Sequence, residues 1–468
     1  MNQMVSVALD VVIMAAGKGT RMKSRRPKVL QDLAGRALVQ HVLHTAAQLQ
    51  ARQAVVITGH GADEVETTLR AREQGLPLQF VRQEPQLGTG HAVQQAVPVL
   101  PDDGLVVVLS GDVPLTQADT LQALVSAAGG DKVALLTLEM DDPTGYGRIV
   151  RSPSGSVHAI VEHKDANDAQ RAIREIYSGI MAVPSRLLKG WLARLDNRNA
   201  QNEYYLTDIV KFAVADGVPV VAHTISDAVQ VAGVNSPQQL AELERAHQLR
   251  QAQKFMADGV RLRDPARLDV RGQLQCGQDV EIDVNCVFEG VVRLGDGVRI
   301  GANCVLANCS IEAGAVIHPF THIDGEKLGV TVGEGALIGP FARLRPGAQL
   351  AAEVHIGNFV EVKNSTMARG AKANHLAYLG DATVGERVNY GAGSITANYD
   401  GANKHRTVIE ADVHIGSNCV LVAPVTIGAG GTVGGGSTIT KSTEPGALSV
   451  ARGKQVSIPN WQRPVKKK

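Results

Sequence analysis

The sequence predicts a Rossmann-like α/β domain, a linker helix and a left-handed parallel β-helix built of hexapeptide repeats, in that order. Three observations predict it. A β-branched run, Val7 to Met14, feeds a glycine loop, Gly17-Lys18-Gly19. A ladder of apolar residues six apart fills the carboxyl-terminal half: Ile282 to Leu306, Val332 to Ile356, and Ile409 to Ile439. Between them, Ser236-Pro237-Gln238-Gln239 reads as an N-cap, a proline at the first helical position and a capping-box partner. A chain of 468 residues exceeds what one core can serve. The divisions read as 1–237, 238–258 and 259–468.

Composition narrows the partners. A formal net charge of +1 with aromatics at 3% gives no field or stacking surface for nucleic acid. No apolar run approaches the roughly 20 residues needed to span a bilayer. Met1 to Met14 lacks the basic start and small-residue cleavage site of a signal peptide. No membrane and a cytoplasmic location are therefore expected. The five cysteines form no CxxC pair, which argues against a disulfide framework or a zinc site. Cys304 and Cys419 follow ladder residues by four and read as small buried hydrophobes.

In the amino-terminal part, bare backbone N–H groups of a glycine loop after a strand can close on phosphate oxygens. Gly-x-Gly alone fits neither the dinucleotide fingerprint nor the Walker A spacing. Lys28, in Arg26-Pro27-Lys28, adds a cation within reach of the loop. Strands at Ala54 to Thr58, Leu105 to Leu109 and Val133 to Leu138, with a helix at Asp63 to Arg70, predict a parallel sheet with crossover helices. Leu105 to Leu109 runs into Ser110-Gly111-Asp112, setting a carboxylate at the carboxyl edge of a central strand, where such sheets bind ligands. Asp112 reads either as a ligand group or as a cap for the next helix.

After Pro237, Leu240, Leu243, Ala246, Leu249, Ala252 and Met256 follow at a mostly helical period, and Asp258-Gly259 supplies a stop. About twenty residues make a rod near 30 Å long that joins the two domains. Beyond it, six is the step of a left-handed β-helix, each face of the triangular coil taking one hexapeptide. From about Val362 to Val408 only Val384 and Tyr390 keep the step, and His375, Tyr378, Asn389, Asn398 and Tyr399 crowd the break. Pure stacking gives no reason for that collection, so the break is a candidate for chemistry. The basic end, Trp461 to Lys468, reads as a free tail or as a contact for phosphates.

Met14-Ala15-Ala16-Gly17-Lys18-Gly19-Thr20-Arg21-Met22, Pro27-Lys28, Gln83, Leu87-Gly88-Thr89-Gly90-His91, Gly111-Asp112, Pro143 to Arg148, Glu162-His163-Lys164 and Gly233-Val234-Asn235 resemble the sugar nucleotidyltransferases in order. Joined to the ladder and to Asn374-His375-Leu376-Ala377-Tyr378-Leu379-Gly380, they resemble the bacterial bifunctional N-acetylglucosamine-1-phosphate uridyltransferase/glucosamine-1-phosphate acetyltransferase family over nearly the whole chain. The resemblance implies that Arg21, Lys28 and the backbone of Met14, Ala15, Ala16 and Gly17 hold the triphosphate of UTP. It implies Gln83, Gly88 and Thr89 on the uracil, Gly147 and Glu162 on the amino sugar, and Asp112 and Asn235 on Mg²⁺. Without the family match, Glu162 would also read as a solvated surface acid.

For the second half the resemblance implies His375 as catalytic base, with Arg345, Lys363, Tyr378 and Asn389 on glucosamine 1-phosphate. Ala392, Ser417, Gly435 and Arg452 match the acetyl-CoA positions, joined by Asn398 and Tyr399 beside the sugar. A homotrimer with acetyl-transfer sites between subunits is implied as well. Three residues depart from the family pattern: Ser110 where Tyr is usual, Tyr177 where Asn is usual, and Gly435 where Ala is usual. Tyr177 bears on one substrate contact and not on the phosphate chemistry. The leading expectation is a two-reaction enzyme of UDP-N-acetylglucosamine synthesis, supplying cell-wall precursors. Uridyl transfer with the solenoid as a mere scaffold, and a non-catalytic assembly factor, are the alternatives.

Overall fold

The computed structural model describes residues 7–72 and 75–466, so Met1 to Ser6, Glu73, Gln74, Lys467 and Lys468 lie outside the described residues. It divides into two compact units, Met1–His247 and Gln248–Lys468.

Seven strands form the main sheet of the first unit: β1 (Leu9–Ala15), β2 (Gln53–Thr58), β3 (Leu78–Arg82), β4 (Leu105–Ser110), β5 (Val133–Glu139), β6 (Glu175–Pro184) and β7 (Val220–Ile225). Their order is β7-β5-β6-β4-β1-β2-β3. β1, β2 and β4 are buried nearly throughout, as apolar β-branched runs covered on both faces should be. The sheet is not parallel throughout: β6 runs antiparallel to both β4 and β5. A hairpin, Gly147–Arg151 with Val157–Val161, carries the chain out beyond the carboxyl edge, and β6 re-enters the sheet from that side. Met14 of β1 pairs with Ser110 of β4, so the glycine loop and Gly111-Asp112 leave the sheet side by side.

The helix Pro237–Ala257 has the expected length of 21 residues. The Ser236 hydroxyl accepts from Gln239 N at 3.2 Å, while the Gln239 carboxamide reaches back to Asn235 N at 2.9 Å. Leu243 packs with Met22, Leu33 and Leu38 in the first unit, and Ala252 belongs to the core of the second. The boundary between the units thus falls inside the helix.

The second unit is a parallel β-helix whose short strands pair coil upon coil. Every ladder residue named above is buried, and Cys286, Cys304, Cys309 and Cys419 fill the same core as small hydrophobes. The apparent break between Val362 and Val408 is a change of phase. Leu350 pairs with Met367, Val362 with Leu379 and Ala373 with Tyr390, each seventeen residues on, where Leu344 and Val362 pair at eighteen. Met367, Ala373 and Leu379 are buried, so the core is continuous and only the six-residue count slips. The larger step comes afterwards: Val384 pairs with Ile409, which leaves Asn398 to Arg406 as an inserted loop.

One corner of the helix carries an unusual column. Phe320, Phe341, Phe359 and Leu376 all adopt φ between +51° and +60° and stay exposed. Phe320 stacks on Phe341 with centroids 5.0 Å apart, and Phe341 on Phe359 at 5.4 Å. Left-handed backbone costs a bulky residue about 1–2 kcal/mol, and exposed stacking returns only part of that.

Candidate active sites

In the first unit, a cavity of about 290 Å³ opens at the carboxyl edge of β1 and β4. Met14, Ala15, Ala16, Gly17, Lys28, Gln83, Gly88, Thr89, Ser110 and Asp112 all line it. A Cβ on Gly17 would meet nothing within 4 Å, so its backbone faces open space. Gly88, at φ +108°, lies so close to the Tyr204 carbonyl that a Cβ would sit 2.7 Å from it. That close approach sets the wall formed by Gln83, Gly88 and Thr89. Gln83 is buried and donates to the Gly88 carbonyl at 2.9 Å.

Lys28 Nζ stands 2.5 Å from Asp112 Oδ2 and 3.2 Å from Asn235 Oδ1. The Val234 N–H donates to the Asp112 carbonyl at 2.9 Å, which brings Asn235 beside it. Lys28 and Asp112 side chains are only 13% and 19% exposed, so the pair sits in poor solvent contact and is held by a charge-assisted hydrogen bond. Asp112 does not cap a helix, since the next helix is Ala118–Ala128. The two oxygens already hold one cationic group between them, and they are the hard donors a magnesium ion takes. Among the described residues no three His, Cys, Asp or Glu side chains converge as a metal site. Arg21 departs from this gathering: it is exposed on the turn Thr20–Met22 and does not line the cavity.

Glu162 lines a second cavity of about 320 Å³, with Asp165, Tyr205, Thr207 and Lys211. A Cβ on Gly147 would sit 2.9 Å from Ile160 Cγ2, so glycine accommodates that side chain, and both Glu162 oxygens lie 3.7 Å from the same position. Burial pushes the Glu162 carboxyl above its usual range, and the Thr207 hydroxyl, donating to Oε1 at 2.9 Å, holds it partly down. Glu162 is therefore no solvated surface acid. Tyr177 pairs opposite Gly147, and its buried hydroxyl has no hydrogen-bond partner among the described residues.

In the second unit, His375, Ala392, Ser417 and Gly435 rise along one edge in successive coils. Gly393 N donates to His375 O at 3.2 Å, Asn418 N to Ala392 O at 2.7 Å, and Gly436 N to Ser417 O at 2.8 Å. Arg452 Nη1 then caps the column on Gly435 O at 2.7 Å. A Cβ on Gly435 would lie 3.4 Å from Ser417 O, ordinary contact, so the space does not require glycine there. His375 is exposed, with Nδ1 2.9 Å from Asn358 Oδ1.

Arg345, Lys363 and Tyr378 share another face: Arg345 Nη1 bonds Glu361 at 2.8 Å, and Glu361 pairs with Tyr378 in register. The Lys404 ammonium, from the inserted loop, abuts Lys363 and, ahead of burial, pulls its pKa below the usual lysine value. Two ammonium groups in contact repel unless an anion joins them. Asn398 is buried and donates to Asp381, which also takes Asn364. Tyr399 is exposed, its hydroxyl donating to Gly401 O at 2.6 Å. Asn389 is not with them: it pairs with Lys372 and His414 on a different face. Thr207 and Asp381 escaped the sequence reading, and Lys404, which ends the run Asn398-Tyr399-Asp400-Gly401-Ala402-Asn403-Lys404 that breaks the hexapeptide step, had no role of its own there.

The model of the MobA-like NTP transferase domain matches residues 11–180, and that of the bacterial transferase hexapeptide (six repeats) matches residues 406–441. The chain is 76% identical to the Bifunctional protein GlmU of Paracidovorax citrulli (strain AAC00-1), over 98% of this chain and 99% of that one. It is 79% identical to that of Polaromonas naphthalenivorans (strain CJ2), over 98% of each. With that of Azoarcus sp. (strain BH72) the identity is 57%, over 98% of this chain and all of the other. Both cavities and the solenoid edge lie inside the shared length, and the chain belongs to the GlmU family of bifunctional enzymes.

Proposed function

We propose that the chain acetylates glucosamine 1-phosphate with acetyl-CoA and then transfers UMP from UTP to N-acetylglucosamine 1-phosphate, releasing pyrophosphate. The observation that carries this reading is one chain holding both a glycine-lined cavity with Lys28 between Asp112 and Asn235, and an exposed imidazole heading a backbone column, with Lys363 and Lys404 neighbouring one another on another face of the same solenoid.

For uridyl transfer, the sugar phosphate attacks the α-phosphorus of UTP, and two anions must be brought together. Lys28 and the N–H groups around Gly17 neutralise the triphosphate, and Arg21 would have to swing in from its exposed turn. Asp112 and Asn235 would hold Mg²⁺, which supplies charge neutralisation when bound. Glu162, facing Gly147, accepts from a hydroxyl or amide N–H of the sugar.

For acetyl transfer, the sugar amine attacks the thioester carbonyl: an N–C bond forms, the C–S bond breaks, and CoA leaves as thiolate. His375 Nε2 takes the amine proton. The phosphate sits between Lys363, Lys404 and Arg345, relieving the repulsion of the two ammonium groups. Asn389, on another face from Arg345 and Tyr378, supports a site completed by a second copy of the chain. The exposed Phe320-Phe341-Phe359-Leu376 column supports the same assembly, a homotrimer, because contact with another copy would offset its strain. Among the described residues no helix is long and apolar enough to cross a membrane. A cytoplasmic site of action completes the reading.

Incubation of the purified protein with glucosamine 1-phosphate, acetyl-CoA, UTP and Mg²⁺ tests it. Thiol and pyrophosphate should appear in sequence. Pyrophosphate arising only from sugar already acetylated would reject the acetyl half, and thiol without pyrophosphate the uridyl half.

A further inference from the structure

The carboxamide of Asn358 has no role in the reading above, yet it lies within hydrogen-bond distance of the proposed base. Asn358 stands opposite His375 on the preceding coil, in parallel register. Its Oδ1 lies 2.9 Å from His375 Nδ1. The approach is fixed by backbone rather than by side-chain chance. Leu376 N donates to Asn358 O at 3.1 Å from one side, and Gly393 N to His375 O at 3.2 Å from the other. Next to Asn358, Gly357 comes so close to Asn374 that a Cβ would sit 1.9 Å from its carbonyl oxygen, so glycine sets the tight spacing of the two coils there.

We propose that Asn358 is a positioning residue that holds the His375 imidazole in the tautomer protonated at Nδ1, leaving the Nε2 lone pair free to take the proton of the sugar amine. A carboxamide oxygen only accepts, so the ring nitrogen facing it must carry the hydrogen. The neutral ring has one hydrogen, and Nε2 is then bare. When Nε2 takes the amine proton, Nδ1–H keeps its bond to Oδ1, so the ring does not have to turn during the step. This rests on His375 being the base, which the experiment below tests separately.

Asn358→Ala should lower kcat of acetyl transfer about tenfold, a fraction of the roughly 10²–10⁴ that a general base supplies, with KM for glucosamine 1-phosphate and acetyl-CoA little changed. Asn358→Asp, whose carboxylate accepts the same hydrogen, should restore most of it. In ¹⁵N-labelled protein the His375 ring, assigned by its absence in His375→Gln, should pass from the Nδ1-protonated tautomer to a mixture in Asn358→Ala. Uridyl transfer and oligomeric state, measured on every variant, report that the chain is folded. An unchanged kcat or tautomer in Asn358→Ala would overturn the proposal, as would equal loss in both Asn358 variants with a raised KM. Retention of acetyl transfer by His375→Ala would instead overturn the base itself.

Discussion

The cavity of the first unit and the edge of the second differ in how much of a site one chain supplies. The first is a hollow in which Lys28, Asp112 and Asn235, drawn from three distant parts of the sequence, are bonded to one another. The second is an open edge: His375 and Tyr399 are exposed, and Asn389 lies on a face away from Arg345 and Tyr378. A sheet can fold a site inward because its loops leave together at one edge. A β-helix presents flat faces and corners, and the assembly proposed above would supply the enclosure that its edge lacks.

Four tests would break or sharpen that contrast. His375→Ala should cut acetyl transfer by roughly 10²–10⁴ and spare uridyl transfer; equal loss of both would mean the sites are not separate. Asp112→Asn, or removal of divalent metal by a chelator, should abolish most pyrophosphate release, by about 10²-fold or more, while thiol release continues. Phe341→Asp puts a charge into the exposed aromatic column; it should shift the protein to smaller species on size exclusion and reduce acetyl transfer severalfold. Uridyl transfer per chain should hold, and a variant that remains fully assembled would count against that column as the contact.

The smallest effect concerns Glu162. Burial raises its folded-state pKa, so the carboxylate is lost at a higher pH than an ordinary glutamate as the solution is acidified. KM for N-acetylglucosamine 1-phosphate should therefore rise on acidification from above the usual carboxylate range. Thr207 lowers that pKa by hydrogen bonding, so Thr207→Val should move the rise to still higher pH, and Thr207→Ser should move it back. A KM profile identical in all three proteins would remove Thr207 from the account.

Local patterns were legible where local physics sets them. The run Val7 to Met14 became β1 because an apolar β-branched stretch has little choice but a buried strand. The six-residue ladder marked the solenoid core residue by residue. Lys28 and Asp112 stood out by their places after the glycine loop and at the end of β4, and Asn235 came through the family likeness; nothing in their separation along the chain tells that one ammonium group bridges two oxygens. The direction of β6 was missed because it depends on where the preceding hairpin ends, a tertiary matter. The roles of Lys404 and Thr207 were missed for a related reason: each residue acts through one partner, Lys363 or Glu162, brought to it by the fold.

The shift from eighteen to seventeen residues per turn has a consequence for how such a molecule can change. Alignment between turns is carried by main-chain pairing and by buried side chains, so a corner can lose a residue while the strands on either side keep their partners. Deletions and short insertions at corners are thus a means of sliding one rank of side chains past the next in small steps. A catalytic edge on this scaffold can be retuned in length without recasting its interior.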